Sequence, residues 1–149
     1  MKIKDVNILV VGDLHCPFDL DEYLDFLKDT YKKYKCSKVI FIGDLIDNHY
    51  TSYHEVSIEA EYSGKQELEL AIKRVQRYYK AFNKKGTICL IGNHDRLIMR
   101  RAQTSQIPSK WIKSYKEVLE VPNWEFTERY VFNDIQFVHG EGGQASTKA

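Results

Sequence analysis

The 149 residues are 43% hydrophobic and 29% charged, and 22 basic side chains nearly balance 21 acidic ones for a net charge of +1. A chain of this size buries roughly two-thirds of its unfolded surface, so one globular domain over 1–149 is expected, and the balanced charge argues neither for nor against a polyanionic partner. No run of about 18 apolar residues is present, which excludes a membrane-spanning helix, and Met1-Lys2-Ile3-Lys4-Asp5 lacks a signal-peptide pattern.

In chain order, residues 6–11 form an apolar run broken only by Asn7 and followed by Gly12-Asp13-Leu14-His15. Runs of this length, rich in Val and Ile, read as strands buried on both faces of a parallel sheet. Leu20, Leu24, Leu27, Tyr31 and Tyr34 then repeat at helical spacing. Asp19 and Glu22 suggest the capped start of that helix, and Lys32, Lys33 and Lys35 its end. Residues 39–42 are a second strand, followed by Gly43-Asp44-Leu45-Ile46-Asp47 and a long connection over 48–64. A second helix is read from Leu68, Ile72, Val75, Tyr79 and Phe82, ending near Gly86. Residues 87–91 are the third strand, followed by Gly92-Asn93-His94-Asp95.

Strands alternating with helices predict an α/β fold, whose sites form beyond the carboxyl ends of the strands. Pro108-Ser109 looks like the opening of another helix, with Trp111, Tyr115 and Val118 on one face. Residues 124–127, 129–132 and 135–139 read as short antiparallel strands, with Asn133-Asp134 as a tight turn, so a mixed or second sheet is expected. Trp111 and Trp124 are assigned to the core. The three cysteines, Cys16, Cys36 and Cys89, have no paired spacing and fit a reducing cytoplasm.

Three clusters thus place metal-capable side chains directly after buried strands, and His139 closes a fourth run. Carboxylate oxygen, amide oxygen and imidazole nitrogen hold hard or borderline divalent ions. Asp13 and His15, two residues apart, can turn toward one ion; Asp44 can bridge two; Asn93 offers a carbonyl oxygen and His139 arrives from the late strands. Ions about 3.5–4 Å apart suit in-line displacement at phosphorus and acidify a water between them. His94 is placed to protonate a leaving oxygen, with Asp47 the first and Asp95 the second candidate to hold it cationic. A lone Gly-Asp after a strand is usually only a turn. The coincidence of three such strand ends carries the metal reading.

The series Asp13-x-His15, Gly43-Asp44-x-x-Asp47, Gly92-Asn93-His94-Asp95, His139 resembles the calcineurin-like metallophosphoesterase family. Asp13-Leu14-His15-Cys16-Pro17-Phe18 and Phe137-Val138-His139-Gly140-Glu141-Gly142 are similar to its bacteriophage and bacterial branches. The resemblance implies two mixed β-sheets in a sandwich flanked by helices. It implies one ion on Asp13, His15 and Asp44, another on Asp44, Asn93 and His139, and His94 as general acid oriented by Asp47. It also implies manganese first, with iron, zinc or nickel as alternatives, and a phosphoester substrate such as a nucleotide, nucleic acid or phosphoprotein.

The family closes its site with a Gly-His-x-His segment, and no histidine follows His139 here. The expectation is therefore a domain shortened at its carboxyl end, each ion lacking one ligand of four. Three outcomes follow from that expectation: a hydrolase of weakened metal binding, a site completed by another chain, or a non-catalytic binding or regulatory module. A homodimer or second chain along the open 135–139 edge is expected. A viral chain would act in its host's cytoplasm.

Other residues are weighed on both sides. Arg96 and Arg100, one helical turn apart and followed by Arg101, could grip substrate phosphate or form a solvated helix face. His49 and His54 could be substitute ligands or loop residues. Tyr50 and Tyr53 offer a weak case for stacking. Cys16 has no paired base and reads as a buried neighbour of the site rather than a nucleophile.

Overall fold

Branched apolar residues set the centre of the molecule, because they pack well on a sheet covered on both sides. The computed structural model describes residues 6–55 and 62–140. The strands β1 (Ile8–Val11), β2 (Lys38–Phe41), β3 (Thr87–Leu90) and β4 (Trp124–Thr127) form one parallel sheet in the order β1-β2-β3-β4. A second sheet is the antiparallel hairpin of β5 (Arg129–Phe132) and β6 (Ile135–Val138), turned by Asn133 and Asp134 in left-handed conformations. Helices α1 (Tyr23–Lys33), α2 (Gly64–Ala81), α3 (Leu97–Thr104) and the short α4 (Tyr115–Val118) complete the chain.

Alternation along β2 shows how the layers form. Val39 and Phe41 face a core with Leu24 and Leu27 of α1 and Ala71, Val75 and Tyr78 of α2. Ile40 faces the other way, joining Ile88 and Leu90 beneath Tyr130 and Phe137 of the hairpin. Every residue of β3 is buried. The α/β fold expected from the sequence is present, with helices on one face of the parallel sheet and the hairpin on the other.

Three local expectations are corrected. The sequence pattern groups 124–127 with antiparallel strands, but β4 runs parallel to β3, with Thr87 opposite Trp124 and Leu90 opposite Thr127. A parallel neighbour needs a long crossover, and residues 91–123, carrying α3 and α4, supply it. The expected helix from Pro108 is instead a 3-10 turn at Ser109–Trp111, broken by extended Ile112, then the separate α4 capped by Ser114. Trp111 is accordingly 82% exposed, not core. Trp124 is fully buried, its indole Nε1 donating to the Phe82 carbonyl at 2.7 Å and its ring 4.6 Å from that of Phe41.

The start of α1 also differs. The helix begins at Tyr23, and Leu20 lies outside it, 72% exposed. Asp19 does not cap it. Its carboxylate accepts from Arg74 Nε at 2.8 Å and from the Tyr78 hydroxyl at 2.7 Å, tying the loop before α1 to α2. Burial alone would raise the Asp19 carboxyl, but the Arg74 and Tyr78 donors outweigh it and hold it below the usual carboxylate range. The capping box belongs to α2: Ser63 Oγ accepts from the Gln66 amide, and the Gln66 side chain accepts from the Ser63 amide.

Candidate metal centre

The site is assembled by backbone pairing beyond the strand ends. The Leu14 and His15 amides both donate to the Asp44 carbonyl, at 3.1 and 2.9 Å. Cys16 and Ile46 form a parallel bridge that continues the β1–β2 ladder into these loops. His15, Asp44 and Asn48 hold left-handed φ of 50, 48 and 51°, conformations uncommon for residues with a Cβ and concentrated at functional positions. Two glycines leave the room this needs. A Cβ on Gly43, at φ +110°, would stand 2.5 Å from His139 Nδ1, and one on Gly92 would stand 2.1 Å from Asp44 Oδ1.

Asp44 is the hub. Its side chain is 5% exposed, and Oδ1 accepts the His94 amide at 2.9 Å. Oδ2 faces two imidazoles, with His15 Nε2 at 3.6 Å and His139 Nε2 at 3.4 Å. Asp13, whose side chain is 47% exposed, brings Oδ1 to 3.8 Å from His139 Nδ1. Asn93 Oδ1 lies 2.9 Å from His139 Nε2. On the other side, His15 Nδ1 is 2.8 Å from Asp47 Oδ1, and the His15 and His94 rings meet edge to face at 4.6 Å.

The second hydrogen bond of each ring fixes its tautomer. His139 Nδ1 lies 2.9 Å from the Ile42 carbonyl, which can only accept, so Nδ1 carries a proton and Nε2 is the nitrogen available to an ion. That nitrogen faces the Asn93 and Asp44 oxygens. His15 Nδ1 likewise meets the Asp47 carboxylate and turns Nε2 toward Asp44. Imidazole nitrogens and carboxylate oxygens thus converge, with each ring backed by an acceptor, as metal-bound histidines are. Two groups result, Asp13–Asp44–His139 and His15–Asp44–His94, each with its donor atoms within 4.8 Å of one another. Oxygen and imidazole donors of this kind hold divalent ions, and Asp44 belongs to both groups. Asp13, His15 and Asp44 all lie at the cluster, with Asp13 beside His139 and His15 beside His94.

His94 is engaged by Asp47 in an unexpected way. Its Nδ1 is 2.7 Å from the Asp47 backbone carbonyl and 3.6 Å from the Asp47 carboxylate, which is spent on His15. Asp95, the second candidate partner, turns inward. Its two oxygens accept the Gly92 amide at 2.8 Å and the Ile46 amide at 3.2 Å, and burial pushes its carboxyl up to about 6. Sequence reasoning missed Asn48, whose side-chain amide donates to the His94 carbonyl at 3.0 Å. Its position directly after Asp47 was the available signal.

The remaining candidates have other described partners. Arg96 reaches the Ile91 carbonyl at 3.3 Å and Glu128 at 3.8 Å. Arg100 lies over the Tyr53 ring, as does Arg101, which also donates to the Thr51 carbonyl. The His49 amide donates to Glu67, and His54 is exposed. Cys16 is fully buried, and burial pushes its thiol well above the usual value, which removes thiolate chemistry.

Comparison with known proteins gives one match. A family model described as calcineurin-like phosphoesterase matches residues 6–147. No curated protein and no solved structure matches.

Proposed function

The chain belongs to the calcineurin-like phosphoesterase family, and from that premise we propose that it hydrolyses a phosphate mono- or diester at the cluster centred on Asp44. Asp13, His15, Asp44, Asn93 and His139 would hold two divalent ions, with manganese the first choice and iron, zinc or nickel as alternatives. The observation that carries this reading is the convergence of His15 Nε2 and His139 Nε2 on one buried oxygen of Asp44. Bound ions would supply positive charge to the ester oxygens and to an attacking water.

The protein's own groups do the rest. Asp47 holds both histidines, His15 through its carboxylate and His94 through its carbonyl. Donation from His94 Nδ1 to the Asp47 carbonyl fixes the ring and leaves Nε2 as the nitrogen that would pass a proton to the leaving oxygen. His94 is therefore assigned as general acid to the leaving oxygen. A nucleotide, a nucleic acid and a phosphoprotein are the substrate classes considered, and Asn93, Arg96 and Arg100 remain proposed substrate contacts. Three free cysteines are in keeping with a reducing compartment such as the cytoplasm. Pairing with a second copy along β6, where Ile135 and Val138 are exposed, is the proposed assembly, and a monomer by light scattering at high concentration would rule it out.

A second reading is favoured by the proximity of His94 to His15 and Asp44, which would make His94 a ligand instead of an acid. One experiment separates them. In His94→Ala, loss of the acid should lower turnover of an alkyl phosphate by about 10²–10⁴-fold. The loss should be smaller for p-nitrophenyl phosphate, whose leaving group needs little protonation, and metal content should be unchanged. Loss of bound metal, with equal effects on both substrates, would establish the ligand role. Absence of metal-dependent turnover in the unaltered protein would overturn the hydrolase reading.

A further inference from the structure

Beside the metal centre, on the helical face of the sheet, a cavity of about 330 Å³ lies between α2, α3, α4 and the 3-10 turn His49–Thr51. Ile46, Ala71, Ile98 and Leu119 give it a mostly apolar wall. The cavity opens to solvent past Tyr50, Leu68 and Ile98, each at least about a third exposed, so its apolar wall faces water. A guest that covers this wall gains by removing apolar surface from water.

Its polar lining comes from Asn48, Tyr50, Thr51, Glu67, Lys113 and Tyr115. Among the described residues lining it, Glu67 is the only acid, and it is 4% exposed. Glu67 Oε1 accepts the His49 amide at 2.7 Å, and Thr51 Oγ1 donates to the Asn48 carbonyl at 2.8 Å. The Asn48 carbonyl and the Glu67 carboxyl are thus acceptors in a lining that is mostly apolar. A buried carboxylate there gains from a ligand that brings a hydrogen-bond donor.

We propose that this cavity is a binding site, separate from the metal centre, for a small molecule with an apolar body of one or two rings and a single donor, a hydroxyl or an amine, directed at Glu67. Size sets the body: a cavity of about 150 Å³ accepts one benzene ring, so about 330 Å³ has room for two fused rings. Position gives the site its interest. Ile46 and Asn48 flank Asp47 in the chain, and the Asn48 side chain holds the His94 carbonyl, so a guest touches the residue that positions the proposed acid.

The test is calorimetric titration of the intact protein with 2-naphthol and with 2-methoxynaphthalene, which has the same rings and no donor. Saturable one-to-one binding of 2-naphthol is expected, about tenfold tighter than that of the ether, the size of one well-placed hydrogen bond. Ala71→Phe should fill the chamber and Ile98→Asp should charge its half-exposed rim; each should weaken binding at least about tenfold. The second variant keeps the test decisive if the first fails to fold. No saturable binding to the unaltered protein, or unchanged affinity in the folded variants, would overturn the site. Equal affinity for the two probes would overturn the role of Glu67. Because binding is read without turnover, either result stands whether or not the chain proves to be a hydrolase.

Discussion

At the scale of single residues, Asp44 is the side chain on which the proposed chemistry turns. Asp44→Asn keeps the Oδ1 acceptor for the His94 amide but removes the charge facing His15 and His139. Turnover should fall by more than about 100-fold, beyond the 10–100-fold typical of changes around a ligand, and metal content by mass spectrometry should fall with it. Retained turnover would remove Asp44 from the mechanism. Gly92→Ala tests the same atom from the other side. Its Cβ would stand 2.1 Å from Asp44 Oδ1 and 2.3 Å from Asp44 N, so one loop must move. Overpacking of this kind typically costs about 1–3 kcal/mol, and a denaturation midpoint equal to the unaltered protein's would contradict the geometry. The ligand-type residues were legible in the sequence because each follows directly on an apolar strand. Other features were not: the Ile42 carbonyl that sets the His139 tautomer, and the Gly92 approach to Asp44, are contacts between distant parts of the chain.

At the scale of elements, the join between α2 and the loop before α1 carries a pH dependence. Arg74 and Tyr78 bond the ionised Asp19 and hold its carboxyl below the ordinary value. A carboxyl depressed in the folded state stabilises the fold above the unfolded value of about 3.9, and that contribution is lost as pH falls through the folded value. Asp19→Asn should therefore be less stable than the unaltered protein at pH 5–8, and the two should converge below about pH 4. Melting curves across that range provide the check; a difference that grows with acid would refute the assignment. The sequence pattern gave Asp19 to the helix cap because acid residues before an apolar repeat usually serve there. A partner 55 residues away won instead.

At the scale of the whole molecule, the helices and the hairpin pack on opposite faces of the parallel sheet through two clusters of buried residues. Trp124 is fully buried, packed on Phe41 and Tyr79, with its indole bonded to the end of α2's exit. Trp124→Ala should destabilise by about 3–5 kcal/mol, read as a shift of the urea midpoint, and a change below about 1 kcal/mol would mean the core relaxes around the cavity. The first three strands were readable as parallel runs, although β1, at the edge of the sheet, is not buried on both faces and leaves Val10 43% exposed. The orientation of β4 was not, because four residues with one buried and two half-buried positions look alike in either direction. Only the crossover through α3 and α4 decides it. Trp111 misled for a related reason, since an aromatic at helical spacing is core only if the helix continues, and extended Ile112 ends it.

The inward turn of Asp95 has a mechanical result. One carboxylate grips the amide of Ile46 beyond β2 and the amide of Gly92 beyond β3, so neither loop can open without breaking a bond to the other. Local fluctuation is thereby converted into a shared event, and these two amide hydrogens should exchange with solvent at one common rate, close to that of the central strands. The loops that bear Asp44 and His94 would then behave as a single rivet in the sheet, with catalysis drawing on a frame that is already still.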